Sequence, residues 1–360
     1  MIKIKQEVTY IENKTLTGEK IIVGIKRNNS YIVIKDEYRE VFIKLFEKIS
    51  LDNNFEEESF EGKEKELIKV FHKYGYLEGD EDIRKAFNEY NLLVKVFKQY
   101  VFPSIPLKEI KNKNMFYFFY ILFLLVGLFI LYKNWNYLQQ PIKIEKFSIT
   151  EIITCFTVIP LLIDISHEFG HLLVARCLGI RASNITIGFF VTWPTIYVRY
   201  EGLNLYSTKD KLCVISAGIA AHIFNVILGL ALGMTKISDN IIAIWSIANI
   251  GMISTNLMFF GPSDGYFALT TVLGIYNLRY RGYKTLNCLL KSKFNQTYQD
   301  YLCALIVLGC WLWSFCGIYI TLNYYGNIFK INHLFIVVSS VLIIILLFIR
   351  FIISIKKLGA

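Results

Sequence analysis

Residues 115 to 132 carry no charged side chain and are built from Phe, Leu, Ile, Tyr, Val, Met and a single Gly. A run that long and apolar all round has no polar face to offer water, and as a helix it is long enough to cross the hydrocarbon of a bilayer. Five further segments approach the same character: 148 to 179, 210 to 234, 240 to 262, 299 to 324 and 331 to 354. Within lipid the backbone must bond internally, so segments of this kind predict a mainly α fold, a polytopic helical membrane domain with about six transmembrane helices. At 54% hydrophobic residues and a mean hydropathy of +0.43, the 360-residue chain is too apolar for an ordinary soluble protein of its length.

The apolarity is uneven, and the chain divides on it. Residues 1–105, rich in Lys and Glu, are expected to form a small soluble α+β domain, and residues 106–360 the membrane domain. Residues 20–35 predict a β-hairpin turning at Asn28-Asn29, followed by helices over 37–49 and 63–74, the second ending at Gly75. Met1 to Tyr10 includes Lys3, Lys5 and Glu7, which does not suit a cleaved signal peptide and predicts a cytoplasmic N-terminus.

Six crossings would return the C-terminus to the same side, for a multi-pass protein of the cell membrane with both termini cytoplasmic. The basic residues agree: Lys108, Lys111, Arg176, Arg181, Lys209, Arg279, Arg281, Lys284, Lys356 and Lys357 all fall on that side. The net charge of +10 is thus a flanking pattern directed at the lipid bilayer, not a nucleic-acid footprint. The seven cysteines include no C-x-x-C spacing and mostly lie in apolar runs, where they act as small hydrophobes.

One apolar segment carries an island of ionisable groups. His167-Glu168-Phe169-Gly170-His171 spells H-E-x-x-H, and Asp164, His167, Glu168 and His171 fall within an arc of roughly 100° on a helix. An ionisable residue at mid-bilayer costs on the order of 3 kcal/mol, and a metal ion gripped by two imidazoles a turn apart would compensate it. In such a site His167 and His171 bind Zn2+ and Glu168 serves as base. A chance match on a buried or amphipathic helix is the other reading.

A third ligand must come from elsewhere in the chain. After Glu168 the acidic residues are Glu201, Asp210, Asp239, Asp264 and Asp300. Asp239 falls on the opposite side of the membrane, and Asp210 and Asp300 stand at span entrances among polar neighbours. The second and fourth spans run in the same direction, which brings the end of the fourth to the depth of the histidines. There Asp264 follows Gly261-Pro262, residues that break a helix. Asp264 is the favoured ligand and Glu201 the competitor, since a downstream glutamate completes many soluble sites of this type.

These residues resemble the site-2 protease family of intramembrane zinc metalloproteases, which pairs H-E-x-x-H on one membrane helix with Asp-Gly on another, often after an Asn. Asn256 and Asp264-Gly265 match, whereas Phe259 stands where the family's Asn-x-x-Pro has proline. Asn256 to Phe267 is similar to the branch of peptide zinc metalloproteases. The family's Ala-Gly-Pro-x-x-Asn reads Ala217-Gly218-Ile219-Ala220-Ala221-His222, with Asn225 one turn on. The resemblance spans about residues 148 to 276.

It implies an intramembrane zinc metalloendopeptidase that cuts a membrane-associated protein or a small precursor peptide. Glu168 would be catalytic, and Asp164, His222 and Asn256 would stand behind the ligands or touch substrate. His222 is equally readable as a membrane histidine satisfied by a neighbouring helix. His333 reads as interfacial and His72 as a surface or partly buried histidine. Residues 184–191 and 195–200 predict strands around Trp193-Pro194, a hairpin able to hold an extended substrate or simply to pack.

The N-terminal order resembles the small winged-helix domain that binds leader peptides, in pattern only; a generic lid is the alternative. A non-catalytic metal-binding membrane partner in a peptide export or immunity system is the rival to the enzyme, and the retained Glu168 argues against it.

Overall fold

The computed structural model describes residues 3–358 apart from 17, 27–29, 52–59, 81–93, 102–109, 139–147, 191–192, 234–238, 258–262, 293–295 and 329–331. The chain is mainly helical, and its contacts form two units. The first comprises residues 1–111, 172–214 and 271–274, and the second 112–171, 215–270 and 275–360. The first unit therefore takes in more of the chain than residues 1–105.

In the first unit β1 (Val8–Thr15), β2 (Gly18–Ile25) and β3 (Ser30–Ile34) form an antiparallel sheet in that order, with Val8 opposite Ile25 and Ile21 opposite Ile34. Ile21 through Ile25 are all buried, and an unbroken run of this kind marks a central strand covered on both faces. On one face Ile21, Val23 and Ile25 join Phe42 and Leu45 of α1 (Arg39–Leu51) and Ile68 and Phe71 of α2 (Gly62–Lys73) in a single core.

The chain around residues 202–208 meets the same sheet. Asn13 Nδ2 donates to Tyr206 O at 3.3 Å, and its Oδ1 accepts from Thr208 N at 3.0 Å. Gly202 takes a left-handed φ of 56°, and a Cβ there would lie 2.6 Å from Lys26 Cα, so only glycine fits.

The expected hairpin and both helices are present, and β1 makes the hairpin a three-stranded sheet. The Asn28-Asn29 turn lies outside the described residues.

A second sheet in this unit is ordered β4 (Val94–Val101), β5 (Ala182–Phe190), β6 (Trp193–Tyr200), all antiparallel. The β5–β6 hairpin matches expectation except that Trp193 and Pro194 belong to β6 itself. The intervening residues 191–192 are outside the described ones. β5 is the middle strand, flanked by β4 and β6.

The remaining helices follow in chain order: α3 (Lys113–Lys133), the short α4 (Trp135–Leu138), α5 (Ile149–Ile153), α6 (Ile159–Cys177), α7 (Thr208–Leu232), α8 (Asp239–Asn256), α9 (Asp264–Leu273), α10 (Leu278–Leu290), α11 (Tyr298–Ile328) and α12 (His333–Leu358). Four of them, α3, α7, α11 and α12, are long and apolar enough to cross a membrane. Only 6% of the apolar stretch of α3 is buried within the protein, leaving a row of large hydrophobic side chains that lipid, not water, suits.

The expected second and fourth spans are altered. A π turn over Thr154–Val158 separates α5 from α6. It stands directly before Pro160, which has no N–H to donate and whose ring crowds the carbonyl four residues back. α8 ends at Asn256, short of residue 262, and the expected break at Gly261-Pro262 lies outside the described residues. The basic segment between the expected fourth and fifth spans is helical: Leu278, Tyr283 and Leu286 of α10 are buried, and Tyr283 OH accepts from Trp311 Nε1 at 2.9 Å.

Candidate metal centre

The site begins with how closely α6 and α7 approach. A Cβ on Gly170, between the two histidines of the motif, would fall 2.7 Å from Ala217 O, and one on Gly218 would fall 2.6 Å from His171 Nε2. Small residues at both positions let the two backbones meet, the usual means of close helix packing in an apolar surround. Cys155 of the preceding π turn and Ile159 and Ile163 of α6 recur at helical spacing and pack against Ile241, Ile244, Trp245, Ala248 and Met252 of α8. α6 is thus fixed from both sides, and His167 and His171 point towards α7 at Gly218.

There the rings of His167 and His171 stand nearly perpendicular, at 84° with centroids 4.6 Å apart. Their Nε2 atoms are 3.1 Å apart. Asp264 opens α9, where the free N–H groups of a first helical turn favour a carboxylate. Its Oδ2 lies 3.5 Å from His167 Nε2 and 3.3 Å from His171 Nε2. Donors bound tetrahedrally at 2.0–2.1 Å lie about 3.3–3.4 Å from one another, so the three separations match what one ion requires.

The chemistry of the donors agrees. Asp264 Oδ2 is buried and has no hydrogen-bond partner among the described residues, and a carboxylate in that condition wants a cation. Among the described residues His167, His171 and Asp264 are the one group of three His, Cys, Asp or Glu side chains that converges in this way. Among the described residues the set offers two nitrogens and one oxygen to an ion.

Behind His167 the polar side chains continue. His167 Nδ1 is 2.9 Å from His222 Nε2, and His222 Nδ1 is 2.9 Å from Asn249 Oδ1. Asn225 Nδ2 donates to Asn249 Oδ1 at 3.0 Å and to Ser166 Oγ at 2.7 Å. Asn225 is itself held by Trp245 Nε1, which donates to its carbonyl at 2.8 Å. His222 and Asn249 are fully buried.

The sequence-predicted residues divide accordingly. His167, His171, Asp264 and His222 come together. Glu168 and Asp164 are half-buried on α6, and the Nδ1 of His167 faces His222. Asn256 turns its Nδ2 back to Met252 O on its own helix, at 3.0 Å. The amide that joins the network is Asn249, two turns earlier, which the sequence reading missed; its signal is an Asn within an apolar helix, where a polar side chain must find partners.

Glu201 is not a member of the converging group; it lies in the turn after β6, its N–H bonded to Arg181 O. Asp210 and Asp300 have local partners in Ser207, and in Thr297 and Arg281. His333 is exposed at the start of α12, and His72 Nδ1 meets Asp80 Oδ1 at 2.9 Å.

Comparison with known proteins returns no matching family, no matching curated protein and no matching solved structure.

Proposed function

We propose that this protein is a multi-pass membrane metalloendopeptidase of the site-2 protease type, with zinc held by His167, His171 and Asp264. The observation that carries the reading is the convergence of His167 Nε2 and His171 Nε2, on the helix that also carries Glu168, with Asp264 Oδ2 at 3.1–3.5 Å. Two nitrogens and a carboxylate oxygen suit zinc, and a base beside them is what hydrolysis needs and a storage site does not.

When bound, zinc supplies a Lewis acid that makes water acidic enough to react near neutral pH and draws charge from a peptide carbonyl. The residues of the chain do the rest. Glu168 takes a proton from water as its oxygen bonds to the carbonyl carbon. It then passes that proton to the amide nitrogen as the C–N bond breaks, so that a carboxylate and an amine leave. A substrate helix must unwind first, because its carbonyls are otherwise held in intrahelical bonds.

Around the four candidate spans, α6 and α8 complete six crossings, with both termini cytoplasmic by the distribution of Lys and Arg. Substrates are membrane-associated proteins or small precursor peptides. The test compares wild type with Glu168→Ala in detergent, measuring zinc content and cleavage of candidate peptides. Cleavage by wild type alone, with zinc in both, is expected; equal cleavage by the two overturns the mechanism.

A further inference from the structure

We infer that His222 and Asn249 form a relay that fixes the proton of His167 on Nδ1, and so presents the bare lone pair of Nε2 to the metal. The inference rests on the zinc reading above and adds two positioning residues to it. The direction of every hydrogen bond in the relay follows from two backbone carbonyls.

The first is Trp245 O. It can only accept, so the Asn249 atom 2.8 Å from it is the amide nitrogen. The side chain is thereby locked with Oδ1 facing His222 and Asn225. The second is Ile163 O, which takes the hydroxyl hydrogen of Ser166 at 2.9 Å. Ser166 Oγ must then accept from Asn225, which fixes the Asn225 amide with its nitrogen towards both Ser166 and Asn249.

Asn249 Oδ1 therefore accepts from both neighbours, and the hydrogen of a neutral His222 lies on Nδ1. Its Nε2 is left as an acceptor, and across the 2.9 Å contact His167 must donate from Nδ1. A neutral imidazole with Nδ1–H has its lone pair on Nε2, the atom 3.1 Å from His171 Nε2 and 3.5 Å from Asp264 Oδ2. Rotating Asn249 by 180° would reverse the sequence, put the His167 hydrogen on Nε2 and block the site, but Trp245 O prevents it.

A carboxylate commonly orients a metal-binding histidine. Here a neutral imidazole and two amides do so, and the relay carries no charge into an apolar seam.

The relay is tested by zinc affinity, read by competition with a chelator on full-length protein in detergent, alongside the thermal midpoint of each metal-free variant. His222→Leu and Asn249→Leu remove donor and acceptor and are expected to weaken zinc about 10- to 100-fold. His222→Gln restores an acceptor towards His167 and a donor towards Asn249, and is expected to stay within about threefold of wild type by the same reasoning.

A mere packing role predicts the opposite ranking, with Leu tolerated and Gln not, and that ranking overturns the relay. Should the variants fail to fold, 15N-histidine spectra of zinc-loaded wild type decide. Nδ1–H on His222 is expected, and Nε2–H overturns it. Wild type that binds no zinc defeats the proposed function as well, whereas tight binding by wild type and both leucine variants defeats the relay alone.

Discussion

The two units bury polar side chains in opposite ways. In the sheet unit Asn13 is 2% exposed and closed off by its own chain: its amide nitrogen meets Tyr206 O and its oxygen meets Thr208 N. In the helical unit a longer series of polar groups runs through Asn225, Asn249 and His222 to His167. It ends at three donor atoms, among them a buried Asp264 oxygen with no hydrogen-bond partner among the described residues. Buried polarity that is satisfied from within is structural. Buried polarity whose donor atoms converge on one point is a candidate binding site, because a cation there would offset the cost of taking it out of water.

Perturbing each region should separate these roles. The largest effect is expected at Glu168, where Ala substitution should lower the rate of peptide cleavage on the order of 10²- to 10⁴-fold with zinc content unchanged. Gly218→Ala comes next. Its Cβ would crowd His171 Nε2 at 2.6 Å and His167 Nδ1 at 2.5 Å, and overpacking of about 1–3 kcal/mol borne by the ligands should weaken zinc about 5- to 150-fold. A Gly218→Ala protein with wild-type zinc affinity would show that α7 does not set the spacing of the imidazoles.

Changes in the sheet unit should be smaller and leave the metal alone. Asn13→Ala deprives Thr208 N and Tyr206 O of their side-chain partner, and is expected to cost about 1–3 kcal/mol of stability in thermal or denaturant unfolding. Equal zinc affinity before and after would hold the contrast; a loss of zinc on Asn13→Ala would break it.

The smallest effect belongs to the surface. Arg39 hydrogen-bonds Glu19 and attracts it, holding that carboxyl below its ordinary value of 4.5. A depressed folded-state value stabilises above the ordinary carboxylate range, and the contribution is lost as pH falls through the lowered value. Arg39→Ala should therefore narrow the stability difference between neutral and acid pH slightly, as followed by unfolding midpoints across that range.

The ease of reading these regions from sequence differed for physical reasons. Helical periodicity put Asp164, His167, Glu168 and His171 on one face, and Asp264 followed by elimination among few acidic residues, because charge is scarce where lipid is near. The strands of β2 and β5–β6 were legible in their β-branched runs. β1 was not, because Asn13, Lys14 and Glu12 break its apolar pattern. β4 pairs with β5 across a long stretch of chain, a contact that no local signal announces.

Asn256 drew attention by its place near Asp264-Gly265, yet its helix ends there and its amide donates to Met252 O one turn back. Asn249 does what was expected of Asn256. Only the facing of α8 towards His222 distinguishes the two, and facing is set by packing of Ile241, Ile244, Trp245 and Ala248 against α6.

The central claim is that three side chains from two distant parts of the chain hold one ion. Zinc per chain after purification in detergent tests it most directly, for wild type, Asp264→Ala and Glu201→Ala. One zinc in wild type and in Glu201→Ala, with loss in Asp264→Ala, is the predicted result; zinc retained by Asp264→Ala and lost on Glu201→Ala would contradict it.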